Sequence, residues 1–203
     1  MIGIIDCGVG NINSFYFFYK ENNINIKIIK SINDITSDID KIILVGVSSF
    51  DTMMYALNKL EFSLLLNEFV KNENNKLLGI CCGMQVLGLS SEEGSIKGLG
   101  LLKGKNYLLK SKIKPHLGWN NIIIDEISKS HLLKDVSKND LFYFLHSYYF
   151  ETLDDDININ FSEYDSQKVT CVVNKKNIYG VQFHPEKSQN AGLQLLQNFC
   201  TLT

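Results

Sequence analysis

The sequence has no arginine; all 20 of its basic residues are lysine. Two-point recognition of a carboxylate or phosphate by a guanidinium fork is therefore excluded. Nor does charge of one sign dominate, since 22 acidic residues against 20 basic ones give a formal net charge of -2. With the signs interspersed, the chain lacks the electrostatic footprint of a protein that binds a phosphate backbone or an anionic membrane. No apolar run approaches the roughly 18 uncharged residues that mark a membrane-spanning helix. The opening MIGIIDCGVG lacks the basic start and apolar stretch of a secretory leader, so a soluble, cytoplasmic protein is expected. Five cysteines, an odd number spread from Cys7 to Cys200, do not form the framework of a disulfide-stapled secreted domain. Internal repeats and low-complexity linkers are also missing. With 45% hydrophobic residues in 203, the expectation is one domain over 1–203 around one sizeable core.

The apolar residues come in two textures. Short β-branched runs at Ile2–Asp6, Ile24–Ile29, Lys41–Gly46 and Lys76–Ile80 read as buried strands. Between and after them, residues 11–23, 49–75 and 81–90 carry apolar side chains at helical spacing. That alternation predicts an α/β fold with a parallel sheet. From about Lys105 the runs become strand-like: 106–114, 120–125, 141–150, 168–176 and 177–183, with DDDINI (154–159) as an exposed turn and 191–200 as a closing helix. Antiparallel strands are expected in this half, making the sheet mixed but mainly parallel, with helices on its flanks.

GICCGMQ, Gly79 to Gln85, sets two cysteines side by side. Neighbours in sequence cannot easily share a disulfide and lack the gap of a Cys-x-x-Cys metal clamp. A strand entering a helix through Gly-x-Cys-x-Gly has the form of a nucleophile elbow, with cysteine where serine stands in Gly-x-Ser-x-Gly. Counting from Gly79 and Gly83, the central residue is Cys81. Its thiol would lie at a helix N-terminus, where the dipole and free N–H groups favour the thiolate. Cys82 would lend its backbone N–H to an oxyanion hole and turn its side chain inward. The same letters also fit two buried cysteines in an ordinary strand-to-helix turn.

VQFHPEKS breaks that tie. His184 and Glu186 lie two apart at the end of a strand and so project from one face, and Pro185 biases His184 toward an extended backbone. A thiol nucleophile needs a base, and the base needs an orienting acceptor; Cys81, His184 and Glu186 supply the three. Other candidates fall away. GLGLLKG lacks the spacing of a phosphate-binding loop, and His116 and His146 have no ligand spacing with the cysteines. Neither a cofactor nor a metal is expected.

These residues resemble the class I glutamine amidotransferases. Beyond GICCGMQ and FHPEKS, the stretches IIDCGVGN, SSEEGSIKGLGLLKG, PHLGWN and FYFLHSYY are similar to the branch of that family that feeds ammonia to a cyclase in histidine biosynthesis, over nearly the whole chain. The resemblance implies that Cys81 attacks the side-chain amide of glutamine to give a glutamyl thioester. His184 would protonate the departing ammonia and then activate water, with Glu186 holding its imidazole. It further implies an oxyanion hole from the N–H groups of Cys82 and, after a rearrangement of the Gly46–Val47 peptide, of Val47. Gln85, Ser147 and Tyr148 would hold the substrate's amino and carboxylate ends. His116, Trp119 and Asn120 in a PHLGWN loop, with Asn11, would meet a partner.

The chain departs from the family at VGVS: Val45 replaces a proline and Ser48 a glycine, and Cys7 stands where an aromatic is commoner. A left-handed backbone at Ser48 would cost roughly 1–2 kcal/mol. Ammonia made for synthesis needs a sheltered path to an acceptor, and this chain is too short to hold both sites. A heterodimer with a (β/α)8-barrel cyclase making imidazole glycerol phosphate and aminoimidazole carboxamide ribotide is what the resemblance implies. The alternatives are a paralogous subunit supplying ammonia for amidino groups on surface sugars, a stand-alone cysteine hydrolase, or a non-catalytic scaffold.

Overall fold

In the computed structural model, which describes residues 1–124 and 130–202, the first half alternates strands and helices: β1 (Ile2–Ile5), α1 (Ile12–Glu21), β2 (Ile26–Ile29), β3 (Lys41–Gly46), α2 (Phe50–Lys59), α3 (Phe62–Phe69), β4 (Lys76–Cys81) and α4 (Cys82–Gln85). Then follow β5 (Ser90–Ser91), β6 (Gly104–Leu108), β7 (His116–Asn121), β8 (Leu141–His146), β9 (Tyr148–Thr152), β10 (Asn158–Tyr164), β11 (Gln167–Lys175), β12 (Ile178–Val181) and α5 (Gln189–Thr201). Seven strands form the main sheet in the order β10-β11-β12-β4-β3-β1-β2. It is parallel from β12 to β2 and antiparallel at β10 and β11. A three-stranded sheet, β5-β6-β9, and the antiparallel ribbon β7-β8 stand beside it.

The central strands are apolar throughout because both faces are covered. Ile4, Val45 and Ile80 pack toward Phe15 and Tyr19 of α1 and Leu195 and Phe199 of α5. Ile5, Leu44 and Leu77 pack toward Phe50, Met53 and Leu57 of α2 and Phe62 and Leu66 of α3. Fully burying one such side chain stabilises by roughly 1.5–3 kcal/mol.

Several expectations change. The stretch 49–75 holds two helices, separated by Glu61 at φ 61. The buried face of α2 (Phe50, Met53, Met54, Leu57) does not continue in phase into that of α3 (Phe62, Leu66), while Leu64 is 71% exposed. The helix expected over 81–90 is the single turn of α4, after which Leu89 N–H donates to the Gly104 carbonyl and the chain leaves for β5. The run 141–150 is broken at Ser147, β8 pairing with β7 and β9 with β6. PHLGWN is not a loop but most of β7, whose residues pair in register from His116↔His146 to Asn121↔Leu141. In 106–114 pairing stops at Leu108, and of 154–159 Asn158 and Ile159 already belong to β10. Asp125, the last residue of the expected strand 120–125, lies outside the described residues.

Candidate active site

The parallel strands β1, β3, β4 and β12 end at Ile5, Gly46, Cys81 and Val181, and the candidate residues gather where they end. In open α/β sheets the crevice beyond the carboxyl ends of the strands is the usual ligand site. Cys81 sits at the turn into α4 with φ 55 and ψ -115, a backbone state that costs a non-glycine residue on the order of 1–3 kcal/mol. The elbow glycines are steric necessities. A Cβ on Gly83 would lie 1.9 Å from the Leu44 carbonyl oxygen, and one on Gly79 2.5 Å from the Gly83 oxygen. The dipole anticipated behind Cys81 loses most of its weight, because a single helical turn aligns few peptides.

The two cysteines point to opposite sides of the sheet. Cys81 belongs to the α1–α5 side and is 7% exposed, whereas Cys82 is packed on the α2–α3 side. Burial pushes the Cys82 thiol well above its usual range, which leaves it an inert packing group. The Cys81 sulfur lies 3.8 Å from the Leu145 carbonyl and accepts from the Gln182 amide at 3.7 Å.

His184 is extended (φ -99, ψ 95), and its N–H donates to the Tyr143 carbonyl at 2.8 Å. Glu186 is not on a continuing strand: residues Pro185–Lys187 make a turn of 3-10 helix that folds the carboxylate back to within 2.9 Å of His184 Nδ1. That contact commits Nδ1–H to Glu186 and leaves Nε2 as the nitrogen for Cys81. Both side chains are almost fully buried, at 1% and 2% exposure. Burial is the largest influence on His184 and opposes its charge. Hydrogen bonds and charge from Cys81 and Glu186 outweigh it and raise the imidazole to about 9.

The oxyanion donors are not all in place. Val47 lines the cleft and is 54% exposed, but its N–H donates to the Val9 carbonyl at 2.9 Å. Gly46 lies opposite Cys81 in the β3–β4 ladder, where a Cβ would lie 2.8 Å from Gly83 N. Ser48 keeps an ordinary backbone, so the left-handed cost considered for it does not arise here. Val45 is buried in the ladder opposite Ile80, and Cys7 is half-buried with its sulfur 4.0 Å from that of Met53.

A cleft of about 220 Å³ runs from Cys81 and His184 past Val47 to Gln85, Ser147 and Tyr148. Gln85 donates to the Tyr148 carbonyl at 2.8 Å and to Gln182 Oε1 at 3.0 Å, bracing the segment at the break between β8 and β9. Three residues that the sequence reading passed over belong here. Gln182 follows from extending the two-residue alternation of His184 backward by one step. Ser188 donates to the His184 carbonyl at 2.6 Å and accepts from Tyr143 N–H at 3.0 Å. Glu93 lines the cleft and accepts from Phe50 N–H at 2.8 Å, a contact 43 residues away that no local pattern signals.

Of the four residues assigned to a partner, His116 needs correction. It is 2% exposed, stacked between Phe144 and Tyr164, and offers no surface. On the same strand Trp119 is 46% and Leu117 58% exposed, Asn120 is half-buried, and Asn11 is exposed near the start of α1. His116 and His146 bond to each other at 3.1 Å rather than to a cysteine.

A strained cysteine elbow, a buried His–Glu pair and a small cleft at the strand ends are the parts of a thiol amidohydrolase. The family model for class I glutamine amidotransferases matches residues 3–202, and the chain belongs to that family. It is 42% identical to the imidazole glycerol phosphate synthase subunit HisH of Leptospira interrogans over an alignment covering 100% of both chains. It is also 42% identical to subunit HisH 2 of Methanococcus maripaludis, over 98% of each. Two solved structures share the fold: a glutamine amidotransferase (TM-score 0.75, 14% identity, 98% of this chain and 99% of that one) and PurLQS from Thermotoga maritima (TM-score 0.73, 18% identity, 98% and 96%).

Proposed function

We propose that this chain is the glutaminase subunit of an imidazole glycerol phosphate synthase. It hydrolyses glutamine to glutamate and passes the ammonia to a (β/α)8-barrel cyclase in histidine biosynthesis, in the cytoplasm. The observation that carries the chemistry is that Cys81 and His184, from distant sequence segments, line one cleft, with Glu186 buried 2.9 Å from His184 Nδ1. The names of the full-length relatives support the pathway.

In this reading the Cys81 sulfur attacks the side-chain carbonyl of glutamine, and His184 Nε2 delivers a proton to the departing nitrogen. Ammonia leaves and a thioester remains. His184, now neutral, takes a proton from water, hydroxide adds to the thioester, and the C–S bond breaks to release glutamate and restore the Cys81 thiolate beside the charged His184. Glu186 holds the imidazole in the tautomer and orientation both halves need. The negative oxygen of each tetrahedral intermediate needs two donors, for which we assign the N–H groups of Cys82 and Val47. Gln85 and the Ser147–Tyr148 backbone are assigned to the amino-acid end of the substrate, and Trp119, Asn120 and Asn11 to the cyclase.

The test is glutamate release by the chain alone, by the chain with a histidine-pathway cyclase carrying its ligand, and by the chain with a barrel from a sugar-amidinating locus. Stimulation by the first partner is expected. Stimulation by the second alone would keep the chemistry and reassign the acceptor.

A further inference from the structure

His116 and His146 are buried and do no work in the mechanism above, yet their four ring nitrogens take part in a single directed chain. His146 Nδ1 lies 2.9 Å from the Tyr148 carbonyl oxygen. A carbonyl only accepts, so Nδ1 must carry the proton. Burial holds His146 near 3 and His116 near 4, so both rings are neutral at physiological pH. A neutral ring with Nδ1–H has a bare Nε2. His146 Nε2 therefore accepts, and His116 Nδ1, 3.1 Å away, must donate. His116 Nε2 is then bare in turn and receives the Asn120 amide at 3.2 Å, an amide whose orientation is set by a second donation to the Glu163 carbonyl at 2.8 Å. One carbonyl thus determines two tautomers and the direction of three hydrogen bonds.

The far end of this chain is the site. The Tyr148 carbonyl also receives Gln85 Nε2 at 2.8 Å, which fills its second lone pair. Gln85 reaches Gln182, and Gln182 reaches the Cys81 sulfur. A continuous hydrogen-bonded path therefore runs from Asn120, next to exposed Trp119 on β7, to the nucleophile. His116 is also fixed sideways: its ring lies parallel to Phe144 at 4.4 Å and to Tyr164 at 4.0 Å. In a dry interior an unpaired member of such a chain is costly, so its parts move together or not at all.

We propose that His116 and His146 are positioning residues for glutamine, a tautomer-locked relay that sets the Tyr148 carbonyl, and the Ser147–Tyr148 segment beside it, according to the position of the Asn120 end of β7. This rests on the glutaminase reading and adds to it a specific line from strand to substrate. His116 touches neither substrate nor nucleophile; it acts through His146 and Tyr148.

The relay is tested in two ways. Ring-nitrogen NMR on the wild-type chain at neutral pH should show Nδ1–H with bare Nε2 for both residues, readily assigned among four histidines. An Nε2–H tautomer at either would overturn it. In the stimulated complex, His116→Phe keeps a flat ring between Phe144 and Tyr164 but removes both nitrogens. It should raise the glutamine KM roughly tenfold, the equivalent of one lost hydrogen bond, with kcat within about twofold. Asn120→Ala should shift KM the same way, and the double variant should cost less than the product of the two. A His116→Phe enzyme that folds with an unchanged KM refutes the relay. If that variant does not fold, the tautomers and Asn120→Ala still decide. No glutamine hydrolysis by the wild-type complex is a different result, which overturns the glutaminase reading itself.

Discussion

The N–H of Val47 donates to the Val9 carbonyl at 2.9 Å, so the donor assigned to the oxyanion hole is spent on the loop after β1. A glutaminase held in this state binds its substrate but stabilises the intermediate poorly. Such an arrangement suits an enzyme whose ammonia is useful only when an acceptor is ready. The Gly46–Val47 peptide is then a two-state element, biased by whatever docks over the exposed Val47 side chain. Low glutamate release is expected from the chain alone, and a rise of orders of magnitude with the ligand-loaded cyclase. Val47→Pro has no N–H in either state. It should still bind the cyclase but lose about two to three orders of magnitude of the stimulated rate. Full activity of the isolated chain would remove the case for gating.

Cys81, not Cys82, is the expected nucleophile. A glutamine diazoketone followed by peptide mapping should modify Cys81 alone, because Cys82 is turned to the other side of the sheet with a thiol that burial keeps protonated. Cys81→Ala should lose roughly four orders of magnitude or more in kcat. Cys82→Ala should keep most activity and lose stability instead. Labelling of Cys82 at the original rate in Cys81→Ala would reverse the assignment.

The elbow stores strain that can be measured. At φ 55 and ψ -115, glycine is at ease and alanine is not. Cys81→Gly should therefore be more stable than Cys81→Ala by about 1 kcal/mol in denaturant titration, the reverse of the usual order. Gly83→Ala should destabilise by on the order of 3 kcal/mol or more, since its Cβ would collide with backbone rather than with a movable side chain. Equal stabilities for the two Cys81 variants would mean the turn is relaxed.

Much of this was legible in the sequence, for identifiable reasons. Parallel strands covered on both faces must be continuously apolar, and IGII, KIILVG and KLLGI are. Gly-x-Cys-x-Gly was legible because few backbones need glycines at both places. What stayed hidden depended on partners distant in sequence. Nothing in LFYFLHSYYF announces a break at Ser147, since the break exists because β7 and β6 claim its two halves. The resemblance of PHLGWN as a whole, read as a loop, assigns His116 to a partner; on a strand, alternation leaves Leu117 and Trp119 exposed and turns His116 inward, onto rings from β8 and β10. Gln182 was within reach of the alternation that found His184.

The final expectation concerns the charge on His184. Its pKa is about 9 in the folded chain against an ordinary 6.5, so the folded state holds this proton more tightly than the unfolded one does. The stabilisation is fully present below about pH 6.5 and is lost as pH rises through 9. Burial alone would act in the opposite direction, so the effect depends on Cys81 and Glu186. Glu186→Gln keeps the shape and a hydrogen-bonding side chain but removes the charge. It should move the His184 Cε1–H titration seen by NMR down toward 6.5 and flatten the loss of stability between pH 6.5 and 9, by on the order of 1–3 kcal/mol. Turnover should fall, but by less than in His184→Ala, where both proton transfers disappear and essentially all activity goes. A His184 resonance that titrates near 6.5 in the wild-type chain would show that Glu186 orients the ring without holding its proton. The acid that frees ammonia would then have to be charged during the reaction rather than before it.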